Sequence, residues 1–180
     1  TACCSGEIEL DQSLTSIDND AFRDCTITGS LVIPDSVVTI GSYAFYKCDG
    51  LDGTLTLSNS VTNIKTYAFA ECAFVDTLII PESVTTIGTY VFYKTSFIGS
   101  LIIPNSVTTM GKYAFAVCNG FTGTLTLSES LSQIDIATFA GSDGFTGDIV
   151  IPDSVTNIGA YAFDGCSGFD GTLTLPDTLV

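Results

Sequence analysis

Leu-x-Ile leading into Pro-Asp-Ser-Val, or a close variant, returns along this chain every 23 or 24 residues, and a fixed period of that length restricts the fold to stacked coils. Copies begin at Ile8, Leu31, Leu55, Leu78, Leu101, Leu125, Ile149 and Leu173, which makes seven full units and the start of an eighth. No linker rich in proline, glycine or serine interrupts them. The expectation is one repeat solenoid over residues 1–180, with 1–7 as an N-terminal cap segment. Each repeat should supply one short parallel β-strand to a right-handed coil, with a turn or 3₁₀ segment on the other side.

Laying the units beneath one another turns each position into a column that runs along the solenoid. Leu31 and Ile33, with their equivalents Leu55/Leu57, Leu78/Ile80 and Leu101/Ile103, alternate at period two, which marks a short strand with both positions inward. Stacked copies of that strand predict a parallel sheet. Pro34, Pro81, Pro104, Pro152 and Pro176 end it by withholding a backbone donor, and Ser58 and Ser128 stand in elsewhere. A serine column (Ser13, Ser36, Ser60, Ser83, Ser106, Ser130, Ser154) follows, read as capping turn amides.

Val37 and Ile40 begin a second inward pair, and Gly41, Gly88, Gly111 and Gly159 follow it at a tight turn. The phenylalanine of Tyr-Ala-Phe is present in every full unit, from Phe22 to Phe163. A second column, running from Ile27 and Leu51 to Phe169, completes the interior. The stretch around Tyr-Ala-Phe-x-x-Cys is too short for a free-standing helix, so one turn of α or 3₁₀ structure is expected there.

Cys25, Cys48, Cys72, Cys118 and Cys166 share one column in which Thr95 and Ser142 also occur, a substitution pattern that suits small buried groups. At a coil spacing of about 4.8 Å, Cys25–Cys48 and Cys48–Cys72 stay within disulfide reach. Cys3 and Cys4 lie in the cap segment, where one could pair with Cys25 or the two with each other. Histidine is absent and no Cys-x-x-Cys occurs, so no zinc site or His-dependent nucleophile is expected. Asp35, Glu82, Glu129, Asp153 and Asp177 share a column read as a solvated turn edge, with calcium as the open alternative. No cofactor is implied.

Between the two inward strand positions stands one outward side chain per repeat. Val32, Thr56, Ile79, Ile102, Thr126 and Val150 form a smooth row of methyls and hydroxyls, and they are the candidate partner-binding residues, centred on Ile79 and Ile102. The rest of the chain is acidic: 20 carboxylates against five cations give −15. That balance argues against nucleic acid and anionic membranes, which need basic residues to replace counterions. No apolar run is long enough to span a bilayer. A chain that begins with Thr1 reads as a processed product or a fragment.

Taken together, these columns resemble the BspA-like class of leucine-rich repeats, and the resemblance covers residues 8–180. It implies a non-catalytic, extracellular or cell-surface protein of microbial or protist type that binds protein or glycan in adhesion. A structural protomer, assembling end to end or side by side with other copies into a fibre or wall layer, is the alternative. The Thr-Leu-Thr segments at Thr54/Thr56, Thr124/Thr126 and Thr172/Thr174 also resemble the ladders of ice-binding solenoids, a third and minor reading.

Overall fold

The structure, a computed structural model, describes residues 5–179. The chain winds into a parallel-strand solenoid of about seven turns. Among the described residues there is no helix.

Two strand systems run along it, and the longer is not the one that the Leu-x-Ile pattern predicts. Ser16–Ile17, Thr39–Ile40, Asn63–Ile64, Thr86–Ile87 and Thr109–Met110 pair side by side as a five-stranded parallel sheet. Gln133–Ile134 and Asn157–Ile158 pair with each other farther along. Leu-x-Ile strands pair only in twos: Leu31–Val32 with Leu55–Thr56, Gly99–Ile102 with Phe121–Thr126, and Ile149–Val150 with Leu173–Thr174. Their registers set Leu31 against Leu55, Leu101 against Leu125 and Ile149 against Leu173, so equivalent positions of neighbouring repeats lie side by side. Ser5–Glu7 adds a strand beside Thr26–Thr28 at the start.

The Tyr-Ala-Phe segment corrects the expected helical turn. Tyr43 and Lys47 sit in the left-handed region, at φ 58° and 57°, and Tyr67/Glu71 and Tyr90/Lys94 repeat that pair. Alternate amides then face opposite ways. Those of Tyr43, Phe45 and Lys47 donate to the carbonyls of Thr66, Ala68 and Ala70 in the next coil at 2.9, 2.8 and 3.0 Å. Those of Ala44, Tyr46 and Cys48 close local turns on Gly41, Tyr43 and Phe45. A helix would spend every amide within its own coil and leave none for the neighbour. The left-handed residues cost roughly 1–2 kcal/mol each, a cost that inter-coil bonds of about 1 kcal/mol and the stacking above them offset.

The core is two files of rings. Phe22, Phe45, Phe69, Phe92, Phe115, Phe139 and Phe163 stack in sequence with centroids 5.0–5.8 Å apart. Phe74, Phe97, Phe121, Phe145 and Phe169 make the second file, at 4.9–6.5 Å. Phe69, Phe92 and Phe139 meet the second file edge to face. Both arrangements suit the aromatic quadrupole, offset stacking along the axis and T-shapes across it.

Ser36 and Ser83 of the serine column do a different job from the one expected, while the buried hydroxyls of Ser106 and Ser154 make no hydrogen bond. Ser83 Oγ donates to the Val61 carbonyl of the preceding coil at 2.8 Å, and Ser36 donates likewise to Leu14. Where serine replaces the proline, Ser58 and Ser128 take over that carbonyl, reaching Val37 and Val107. It is these replacements that cap the turn amides of Ser60 and Ser130. Close approach favours the glycines after the second strand, a Cβ on Gly41 lying 2.5 Å from the Asn19 amide of the coil before, although Asp18, Lys65 and Asp135 hold the same position in other coils.

Candidate interaction surfaces

Period two along Leu-x-Ile leaves the middle residue no inward option, and the structure places all six predicted contact residues outside. Val32, Ile79, Ile102 and Val150 are 56, 72, 60 and 54% exposed, and Thr56 and Thr126 are exposed between them. Their inward neighbours are buried, Leu101 and Ile103 at 0 and 1%. Strand pairing lapses around Leu78–Ile80, with only a bridge from Thr77 to Ile98 beside it. At that lapse the surface dips into a depression of about 260 Å³ lined by Ile79, Ile102, Thr77, Ser100, Glu82 and Pro104. The two isoleucines singled out from the sequence therefore share one recess.

A second surface was not read from the sequence. Tyr43, Tyr67, Tyr90 and Tyr113 stack in a file on the outside, with centroids 4.8, 4.5 and 4.5 Å apart and planes within 9°. Tyr46 and Tyr93 meet it edge-on. Arg23 lies over Tyr43 at 4.9 Å, and Lys47 and Lys94 lie over Tyr46 and Tyr93. Partial burial, followed by the charges of the neighbouring phenols, pushes the Tyr67 hydroxyl up to about 12. The signal was present in the sequence: a tyrosine stands two places before the ladder phenylalanine in four successive units. Shallow depressions of about 370 and 510 Å³ flank Lys65.

The cysteine column is structural. Sγ of Cys48, Cys72, Cys118 and Cys166 donates to the carbonyl of Phe22, Phe45, Phe92 and Phe139 in the preceding coil, at 3.0–3.1 Å. Ser142 does the same to Phe115, which explains why a hydroxyl substitutes there, and Thr95 turns instead to Phe92 of its own coil. Cys72, Cys118 and Cys166 are unbridged thiols, so the Cys48–Cys72 disulfide is not made. Cys3 and Cys4 lie outside the described residues. Among the described residues no cluster of three His, Cys, Asp or Glu side chains could hold a metal ion, and no helix is long and apolar enough to cross a membrane.

Burial pushes the Cys118 thiol up to about 11, Cys166 to a similar value, and Cys72 well above its ordinary 9.0. The sign follows from proton linkage. Below pH 9 the thiols are protonated whether folded or unfolded; above it the unfolded chain loses the proton first, so stability falls as pH rises towards 11. For fully buried Cys118 the loss is on the order of 3 kcal/mol. Urea unfolding at pH 8, 9.5 and 11 should show that decline, and Cys118→Ser should flatten it; an identical decline in the variant would contradict the assignment.

The array of in-register coils, its phenylalanine files and its thiol column define a leucine-rich repeat solenoid. A profile described as the BspA type leucine rich repeat region, in six copies, matches residues 1–122 and 121–180, and the chain belongs to that family. Among solved structures it is similar to a leucine-rich repeat protein from Bacteroides ovatus, at 25% identity and a TM-score of 0.80 over 97% of this chain and 49% of that one. It is also similar to the leucine rich repeat protein of T. pallidum, at 25% identity and 0.73 over 92 and 73%. The chain thus spans about half the length of the Bacteroides protein. Comparison with curated proteins finds no match. Arrays of this family are frameworks for protein interaction.

Proposed function

We propose that this chain is a non-catalytic recognition module, extracellular or on a cell surface, that binds a protein or glycan through the Leu-x-Ile face. One observation carries the reading: a row of exposed β-branched side chains runs along a protein of charge −15 and deepens into a recess at Ile79 and Ile102. Apolar rows of this kind mark contact surfaces, and repeat folds use such extended faces for binding. A non-catalytic role agrees with polar side chains that recur as columns from coil to coil. Family membership supports the surface location.

The double variant Ile79→Lys/Ile102→Lys tests it. Both side chains are more than half exposed, so the thermal midpoint should change by no more than a few degrees. Binding to arrayed matrix proteins and glycans should weaken at least about tenfold, as expected when the centre of an interface is lost. Equal binding by variant and parent would move the site off this face.

A further inference from the structure

All five cations of the chain lie in the segment that follows the second strand, in the first five coils. Arg23, Lys47, Lys65, Lys94 and Lys112 share one edge with the tyrosine file, interspersed with Asp18, Asp20, Asp24 and Glu71, while the other segments of the coils carry carboxylates and no cation. Among the described residues, ion pairs within 4 Å are made only by Arg23, to Asp20 and Asp24; Lys47 and Lys94 rest on tyrosine rings instead.

Following the left-handed position at the end of Tyr-Ala-Phe-x from coil to coil gives Asp24, Lys47, Glu71, Lys94. The opposite corner, where the chain turns between its two strands, gives Gln12, Asp35, Asn59, Glu82 over the same coils. Over these four coils the two columns complement each other; in the later coils Val117, Gly141 and Gly165 stand opposite Asn105, Glu129 and Asp153. Each lysine has a carboxylate as its counterpart, and each carboxylate has an uncharged amide. Both columns rise by the same coil spacing, so Lys47 and Lys94 are as far apart as Asp35 and Glu82, ~9.6 Å or two coils. Lys47, Lys94, Asp35 and Glu82 are all exposed.

Within one chain these corners cannot meet, because the second sheet runs from one to the other. We infer that the cationic edge is a docking surface for a second copy of this chain, placed side by side by translation along the strand direction of that sheet, with Lys47 on Asp35 and Lys94 on Glu82. Unlike charges at contact favour this register over a shift by one coil, which sets Glu71 against an acid and each lysine against an amide, while a shift by two coils again sets the lysines on acids, Glu82 and Glu129. The net charge of −15 opposes association at long range, but salt screens that repulsion beyond about 8 Å at physiological strength. The contact is heterologous and does not close, so it continues into a row of parallel solenoids. Apart from Glu82, which also lines the recess at Ile79 and Ile102, it uses none of the Leu-x-Ile face, and it rests on a separate observation from the function proposed above.

Sedimentation of the full chain at millimolar concentration decides the matter. In about 0.15 M salt the weight-average mass should at least double over the 18.9 kDa monomer, and in about 1 M salt it should return to it. Lys47→Glu/Lys94→Glu should stay monomeric, and so should Asp35→Lys/Glu82→Lys. An equimolar mixture of the two variants should associate again, because each supplies the complement that the other has reversed; this restoration excludes misfolding as the cause. A monomeric parent, unaltered association in either variant, or a mixture that stays monomeric overturns the inference. A monomeric parent that binds poly-glutamate through the same lysines overturns it too, and gives the edge to an acidic partner.

Discussion

Phe92→Ala should cost about 3–5 kcal/mol, the range for truncating a core aromatic. The ring is fully buried, stacked between Phe69 at 5.8 Å and Phe115 at 5.2 Å, with Phe97 against it edge to face at 5.8 Å. Its neighbours cannot close the hole, because each is fixed by its own stacking partners and by backbone bonds from coil to coil, such as Phe92 to Ala114 at 2.9 Å. Total stability is only about 5–15 kcal/mol in domains of this kind, so the variant should be marginal at room temperature. Phe163 near the end of the file is only partly buried and stacks on Phe139 alone among the described rings. Phe163→Ala should therefore lose about half as much or less. Urea midpoints measured side by side test this, and equal losses at the two sites would contradict a continuous ring file.

Why was the phenylalanine interior legible from the sequence while the extent of each sheet was not? A column of identical bulky residues admits one explanation, stacking. Strand position is decided by finer geometry. From Leu31 to Cys48 and from Leu55 to Cys72 the spacing is 17 residues, whereas Cys25 to Leu31 is 6 and Cys48 to Leu55 is 7. The one-residue differences in repeat length thus fall in the stretch leading into Leu-x-Ile. The longer approach precedes Leu55, Leu125, Ile149 and Leu173, of which all but Ile149 pair with the strand before them, whereas the shorter one precedes Leu31, Leu78 and Leu101, which do not; the Thr39–Ile40 strand, inside the constant stretch, pairs across five coils. At Leu78 the lapse also coincides with Asp76, where the other units carry glycine, and its carboxylate binds the Thr77 amide and the Thr54 hydroxyl.

The interaction surfaces divide in the same way. That Val32, Ile79 and Ile102 face outward follows from period two alone. The recess between the isoleucines does not, since it depends on where pairing lapses. The helical turn expected at Tyr-Ala-Phe was a reasonable inference from local propensity, but tertiary demand prevailed: amides were needed for the next coil. Left-handed tyrosines and lysines at φ near 58° are visible only in the folded chain.

Removing one whole unit and removing half of one should have opposite consequences, and the sixth unit is the informative place to cut. Deleting residues 125–148 joins Thr124 to Ile149 and returns every column to register: Phe115 then meets Phe163, Phe121 meets Phe169, and Cys118 meets Cys166. Stability should fall by about one part in seven, as nearest-neighbour stacking of near-equal coils requires. The deletion also takes out Ala137, the residue that breaks the tyrosine file between Tyr113 and Tyr161. Ala137 already holds the same left-handed backbone, φ 52° against 57° and 61°, so Tyr161 should come to stack on Tyr113 and fall well below its present 70% exposure. Deleting only 125–136 instead brings Ala137 to the place of Leu125 and sets every later column against the wrong one. Inward and outward positions no longer correspond across the junction, and the coils beyond it should melt separately or not fold. Circular dichroism melts of the two deletions distinguish these outcomes. Two deletions of equal stability would mean that the coils do not share one interior, and the file of rings would lose its role as the element that holds the solenoid together.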